Sequence, residues 1–325
     1  MLNNRRKKNK MANTEAISGV DSYLLYGAES TYNTAVTADT HFGLVKSFSP
    51  RTNNSNNYTR GFVGTTTGGR NVAKILPGKI ENEIGVELDV THWDWLEYVL
   101  GSVTGSGPYT YSEANNPGSL TIGRQIVNPG SSATDRDEQW TGAVIDSCTI
   151  KASVGEPVSV SLTLKASGHL YDTTVQTAQA LPSVEVFNFS GGTIELPDAT
   201  PLTNIIDSVE ISISNNYDIL YGLGDRRGQN AKAKGRDYKI KFTVKYLDNN
   251  LLGALLGAAE PTATTDPTEY ASMAIKFSLG GKSCDFVFST VTFDSLSGKE
   301  DVTEIIGEDI EATAISCEVT DDRSA

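Results

Sequence analysis

Metal binding and nucleophilic catalysis fall first to histidine and cysteine, and the chain has three of each: His41, His92 and His169, and Cys148, Cys284 and Cys317. None of the histidines stands at metal-ligand or triad spacing from a Cys, Asp or Glu, so all three are expected at the surface or its boundary. The cysteines are odd in number, far apart, and lie in or beside apolar-alternating segments. Buried free thiols follow, rather than a disulfide scaffold or a CxxC metal site. The stretch "YGLGDRRG" (221 to 228) looks like a phosphate loop, but Gly222, Gly224 and Gly228 miss the GxGxxG spacing and no βαβ pattern follows. No acid, base, nucleophile or ligand set can be assembled, so the expectation is no catalytic residue, no cofactor, no metal and no enzyme.

Charge offers a different kind of chemistry. The loop "SNNYDILYGLGDRRGQNAKAKGR" (214 to 236) gathers Arg226, Arg227, Lys232, Lys234 and Arg236 against only Asp218 and Asp225. On a chain with 27 basic and 40 acidic residues, net −13, such a loop suits docking on the acidic surface of an identical neighbour. DNA contact is the competing reading. A first-half counterpart, "RTNNSNNYTRGFVGTTTGGRN" (51 to 71), holds Arg51, Tyr58, Arg60 and Arg70, and self-association fits both loops better than phosphate binding does. The acidic balance excludes a general nucleic-acid binder. No apolar run approaches a membrane span, and the basic start "NNRRKKNK" is followed by no apolar stretch of a signal peptide. Residues 1–10 are expected to be a disordered basic leader ahead of Met11, which is an alternative start.

The elements that carry these loops are strands. In "GEPVSVSLTLKASG" (155 to 168), Val158, Val160, Leu162, Leu164 and Ala166 alternate with Ser159, Ser161, Thr163 and Lys165. One face is buried and the other is small and hydroxylated. A looser copy, "GEDIEATAIS", lies at 307 to 316, and other elements recur in the same order. "GVELDV" followed by "THWDWLEYVLG" (85 to 101) matches "YKIKFTVKY" followed by "LDNNLLGALLG" (238 to 257): a strand, a short helix and a Gly stop. Thr91 with Asp94 has capping-box spacing, Asp248 is a candidate N-cap, and Leu251, Leu252, Leu255 and Leu256 are the expected apolar stripe. Each helix leads to a Gly-, Pro-, Ser- and Thr-rich loop and then a hairpin. Two tandem units are expected, 11–175 and 176–325, joined near residues 169–183. Each is a mainly β, antiparallel sandwich or barrel with one short helix.

Three segments carry a likeness: "YLLYGAESTYNTAVTADTHFGLVKSFSP" (23 to 50), "WTGAVIDSCTIKASVGEPVSVSLTLKASG" (140 to 168) and "VEISISNNYDILYGLGDRRGQNAKAKGRDYKIKFTV" (209 to 244). In texture and element order, the sequence resembles the tail tube proteins of tailed bacterial and archaeal viruses. The resemblance implies a structural virion protein whose sheets join those of its neighbours around a channel, in stacked rings through which viral DNA passes to the host. It implies assembly in the host cytoplasm, other tail proteins at the tube ends, and a long loop reaching to the next ring. The inter-ring candidates are therefore Arg226, Arg227, Lys232, Lys234, Arg236, Arg51, Tyr58 and Arg60. Ser159, Ser161, Thr163, Glu311 and Thr313 are the candidates for the lumen face, because short hydroxyls and acids give DNA nothing to adhere to. If a wall takes about six such units, a chain with two of them closes a ring as a trimer with pseudo-sixfold symmetry. The alternative is a β-sandwich capsid-decoration or receptor-binding tail module.

Overall fold

The computed structural model describes residues 22–59, 72, 74–126, 136–172, 185–197, 199–202, 205–247, 250–257, 265–299 and 305–322. The basic leader, Arg60, Arg70, Asp248 and most of the expected join lie outside these residues. In the first half the elements are β1 (Ser22–Ala28), β2 (Thr40–His41), β3 (Leu44–Asn54), β4 (Asn57–Thr59), β5 (Lys74–Leu76), β6 (Ile80–Asp89), helix α1 (Glu97–Leu100), β7 (Gly101–Thr104), β8 (Tyr109–Glu113), β9 (Leu120–Ile126), β10 (Arg136–Ser153), β11 (Ser159–Ala166) and β12 (Gly168–Asp172). The second half holds β13 (Gly192–Glu195), β14 (Ile206–Ser214), β15 (Asp218–Leu220), β16 (Asn230–Lys232), β17 (Asp237–Lys245), helix α2 (Asn250–Leu256), β18 (Glu269–Leu279), β19 (Lys282–Lys299) and β20 (Gly307–Asp321).

The fold is mainly β, antiparallel and of β-sandwich type. One large sheet runs β13–β18–β19–β20–β17–β14–β10–β11–β6–β3, with β9 and then β1 attached beside the first part of β10. The path is open at both ends, so the barrel alternative is corrected: among the described residues the sheet closes no barrel. The first-half order β1–β9–β10–β11–β6–β3 recurs in the second half as β13–β18–β19–β20–β17–β14. The two sets meet where β14 pairs with residues 147–153 of β10.

Alternation dictates which side of each strand is dry. In β11, Val160, Leu162 and Leu164 are buried while Ser161 between them is exposed, and burying each aliphatic side chain contributes about 1.5–3 kcal/mol. Strands β10 and β19 are both 18 residues long, and β10 serves two layers. Its first part pairs with β9 and β12, and its later part with β11 and β14. Across the layers Phe48 meets Trp140 edge-on at 5.3 Å, and Phe242 meets Phe293 at 6.1 Å.

The larger hydrophobic core among the described residues runs through both halves. Trp93, just ahead of α1, lies 6.0 Å from Phe277, 5.4 Å from Phe286 and 5.5 Å from Phe187. Cys148, Cys284 and Cys317 are buried, and burial pushes the Cys148 and Cys317 thiols up, away from the reactive thiolate.

Several local expectations are corrected. Thr91 caps no helix: its hydroxyl meets His92 Nδ1 at 2.9 Å, and the turn opens as a 3-10 segment, Asp94–Leu96, without a side-chain cap. His92 is buried, not superficial, because its Nε2 reaches the His41 carbonyl at 2.7 Å. In α2 Leu251 and Ala254 are buried while Leu252 and Leu256 face solvent, so the stripe is narrower than four leucines. Both helices do end at their glycines, with Gly101 at φ 116° and Gly257 at φ 80°, a conformation that disfavours any Cβ.

Candidate functional site

The polar face of the large sheet is built by register. One row crosses eight strands through Ser47, Glu87, Ser161, Thr149, Ser212, Lys239, Thr313 and Thr292. The next runs Asp89, Ser159, Lys151, Glu210, Lys241, Glu311. Thr163 begins a third beside Ser147 and Gly85. All five residues singled out on β11 and β20 therefore share one face, although the two strands are not neighbours. The face is mixed in charge, because Lys151, Lys239 and Lys241 stand on it beside the hydroxyls and carboxylates. Lys151 bonds Glu210 at 2.9 Å and Lys241 bonds Glu311 at 2.6 Å, so signs alternate along the row. The Lys241 ammonium holds the Glu311 carboxyl below its usual range.

The basic loop folds into an arm around the hairpin β15–β16. Tyr217, Ala231 and Val144 pin its base to β10. Its five cations do not act together. Arg236 turns inward: Nε donates to Asn215 Oδ1 at 2.6 Å and Nη2 to the Leu100 carbonyl at 3.1 Å, at the end of α1. Arg226 reaches the first-half loop, bonding the Gly78 carbonyl at 2.7 Å and Asn54 Oδ1 at 3.1 Å. Arg227 pairs within the arm with Asp225, and Lys234 with Asp218 at 2.6 Å. Lys232 faces solvent. The tip side chain, Leu223, is 104% exposed. In the first half Arg51 lies exposed on β3, and Tyr58, Ile75 and Leu76 are exposed on the hairpin β4–β5.

At the opposite end of the same strands lies an apolar rim. Val154 follows β10, Ile205 precedes β14, Leu247 follows β17 and Ile305 precedes β20, and all four are exposed. Backbone bonds hold this end together, from Val154 N to the Asp207 oxygen at 3.0 Å and from Lys245 N to the Ile205 oxygen at 2.8 Å. Arm and rim are separated by the length of β14, about 30 Å for a strand of that length.

Two bulges escaped sequence reasoning. In β10 the register against β11 shifts between Ile145 and Ser147, and in β19 the register against β20 shifts between Phe293 and Ser295. The extra residue is Asp146 in one and Asp294 in the other. The available signal was the pair of tripeptides Ile-Asp-Ser (145–147) and Phe-Asp-Ser (293–295). Among the described residues no group of His, Cys, Asp and Glu could hold a metal ion, and no helix is long and apolar enough to cross a membrane.

The described residues thus build an open antiparallel sheet, a face of alternating charge and a projecting arm. A family model described as phage tail tube protein matches residues 19–316. The chain belongs to the phage tail tube protein family. No curated protein matches the chain. As a tail tube protein it is a structural component of the virion tail, and its partners are copies of itself and other tail proteins.

Proposed function

We propose that three copies of this chain close one ring of the tail tube, that each copy supplies two equivalent wall units, and that the stacked rings conduct viral DNA into the host. The observation that carries this reading is the recurrence of one six-strand order in both halves, with β14 of the second seated on β10 of the first. Such a joint between like units can be repeated from chain to chain. An open sheet with unpaired edges is an aggregation template until it closes on itself, and the number of units sets the diameter at closure. With about six units per turn, three chains suffice, whereas six chains would roughly double the channel width.

The face bearing Ser159, Ser161, Thr163, Glu311 and Thr313 is the proposed lumen. Two of its cations, Lys151 and Lys241, are matched by Glu210 and Glu311, so a passing phosphate backbone meets no continuous row of positive charge. The arm, with Leu223 at its tip, is the proposed contact to the next ring.

Cryo-electron microscopy of assembled tubes tests this. Threefold symmetry with two non-identical units alternating around the wall is the expected result. Six whole chains per ring at side-chain resolution, or this face on the outer wall, would refute it.

A further inference from the structure

The joint inside the chain is a template for the joint between chains. On β10, one flank is taken by β9 and then by β14, which pairs with residues 147–153. On β19 the corresponding flank is taken by β18 along Lys282–Thr292, and no described strand follows it beyond that point. The bulge sets the correspondence, because Asp146 and Asp294 occupy it in the two strands. Residues 295–299 of β19 thus stand where 147–151 of β10 receive β14.

The bulge aspartates share more than position. Asp146 Oδ2 bonds Lys165 Nζ at 2.9 Å, and Asp294 Oδ2 accepts from Thr313 Oγ1 at 2.5 Å, each partner lying at the same spacing along the returning strand. With its other oxygen Asp146 accepts the Tyr217 N–H at 2.6 Å, and its carbonyl accepts the Asn215 N–H at 2.8 Å. It fastens the chain as it leaves β14. Asp294 is exposed, and among the described residues its Oδ1 has no such donor.

The first-half counterpart of β14 is β3. Both are edge partners of the strand before the helix, and both carry a bulge near their start, between Ile206 and Ser208 against β17 and between Val45 and Ser47 against β6. The far flank of β3 pairs with no described strand.

We propose that residues 295–299 of β19 dock β3 of a second copy of this chain, with the Asp294 carboxylate accepting a side-chain amide N–H at the end of that strand, where the backbone N–H groups of Ser55 and Asn56 already bond Lys79 and Asn54. This rests on the ring reading and assigns its seam. Carrying over the β10–β14 register, in which Ser147 opposes Ser214 and Thr149 opposes Ser212, sets Ser295 opposite Asn53 and Ser297 opposite Arg51 of the next copy. Pro50 then falls opposite Gly298, in the place of Ile211. The bonds from Asn215 N to Asp146 O and from Val154 N to Asp207 O make the odd-numbered residues of β14 the ones that bond β10. Pro50 at an equivalent position lacks the N–H, so the seam between chains has one ladder bond fewer than the joint within a chain. A proline at a docking edge also discourages indiscriminate pairing before assembly.

The test is a disulfide across the seam. Asn53 and Ser295 are expected as a non-hydrogen-bonded pair, with Cα atoms about 4.5 Å apart, within disulfide range. The native thiols are buried and do not compete. The double variant Asn53→Cys/Ser295→Cys, oxidised after assembly, should run on non-reducing gels as multiples of the chain up to three. Each single variant, and the shifted pair Asn53→Cys/Ser297→Cys, should run as the monomer. Tubes that form from the first pair without cross-linking overturn the seam and leave the tube reading standing, whereas a wild-type chain that never assembles overturns both. Asp294→Ala should raise the concentration needed for assembly roughly tenfold or more, whereas Thr313→Val, which removes the same bond within the chain, should not. Assembly of Asp294→Ala at the wild-type concentration would remove Asp294 from the seam.

Discussion

Arg236 and Arg226 are ten positions apart in one basic loop and were indistinguishable in sequence, yet they hold different things. Besides Asn215 and Leu100, Arg236 reaches the Ala114 carbonyl at 3.3 Å, and Glu113 beside it accepts from the Tyr238 hydroxyl at 2.7 Å and the Cys317 N–H at 3.1 Å. Its side chain is 14% exposed, and its removal takes the guanidinium donor from the buried Asn215 side chain at the contact between the halves. Arg236→Ala should cost about 2–3 kcal/mol of stability in urea unfolding. Arg226 is exposed, and Arg226→Ala should cost less than about 1 kcal/mol. Charge clustering was legible in the sequence. Which cation turns inward was not, because that depends on the carbonyls of Leu100 at the end of α1 and Ala114 just after β8, more than a hundred residues away. His92 was misread for the same reason: its partner is a distant carbonyl, to which spacing along the chain gives no clue.

At the scale of elements, strands with one wet face were legible and strands buried on both faces were not. β6, β11, β17 and β20 alternate and were found, down to the hydroxyl face of β11. β9 was passed over as loop because Leu120 through Gly123 are all buried, which removes the alternation. Similarly, Met273, Ala274 and Ile275 are consecutive buried residues in β18. Missing these two strands hid the six-strand order and, with it, the free flank of β19. The arm β15–β16 was legible as a basic loop, but its exposed Leu223 stood out only when the hairpin fixed the tip. Leu223→Asp, or charge reversal at Arg227 and Lys232, should leave the circular dichroism spectrum and unfolding midpoint unchanged. Either change should shorten or abolish tubes seen by negative-stain microscopy, and wild-type tubes should loosen at high salt as exposed pairs are screened. Full-length tubes from both variants would exclude the arm from stacking.

The whole molecule departs most from a picture of two self-sufficient units. Repetition of sequence suggests a boundary near residue 175, yet Trp93 of one half is surrounded by Phe187, Phe277 and Phe286 of the other, and β8 pairs with the end of β20. Pattern along a chain reports which faces are dry, but not which dry faces meet. Residues 176–325 expressed alone, with Phe277 and Phe286 uncovered, should show no cooperative thermal transition, and adding residues 11–175 in trans should restore one. A sharp transition from the isolated half would make the halves independent. The arm and the apolar rim, set at opposite ends of the same strands, bear on growth. A contact that joins one end of a subunit to the unlike end of the next has no twofold axis, and unless its rotation closes a ring it leaves an open end at every step. A polymer built on it has a direction, two chemically different tips, and no built-in stopping point. If the proposed stacking joins arm to rim, nothing in that contact sets where such a polymer starts or how long it grows.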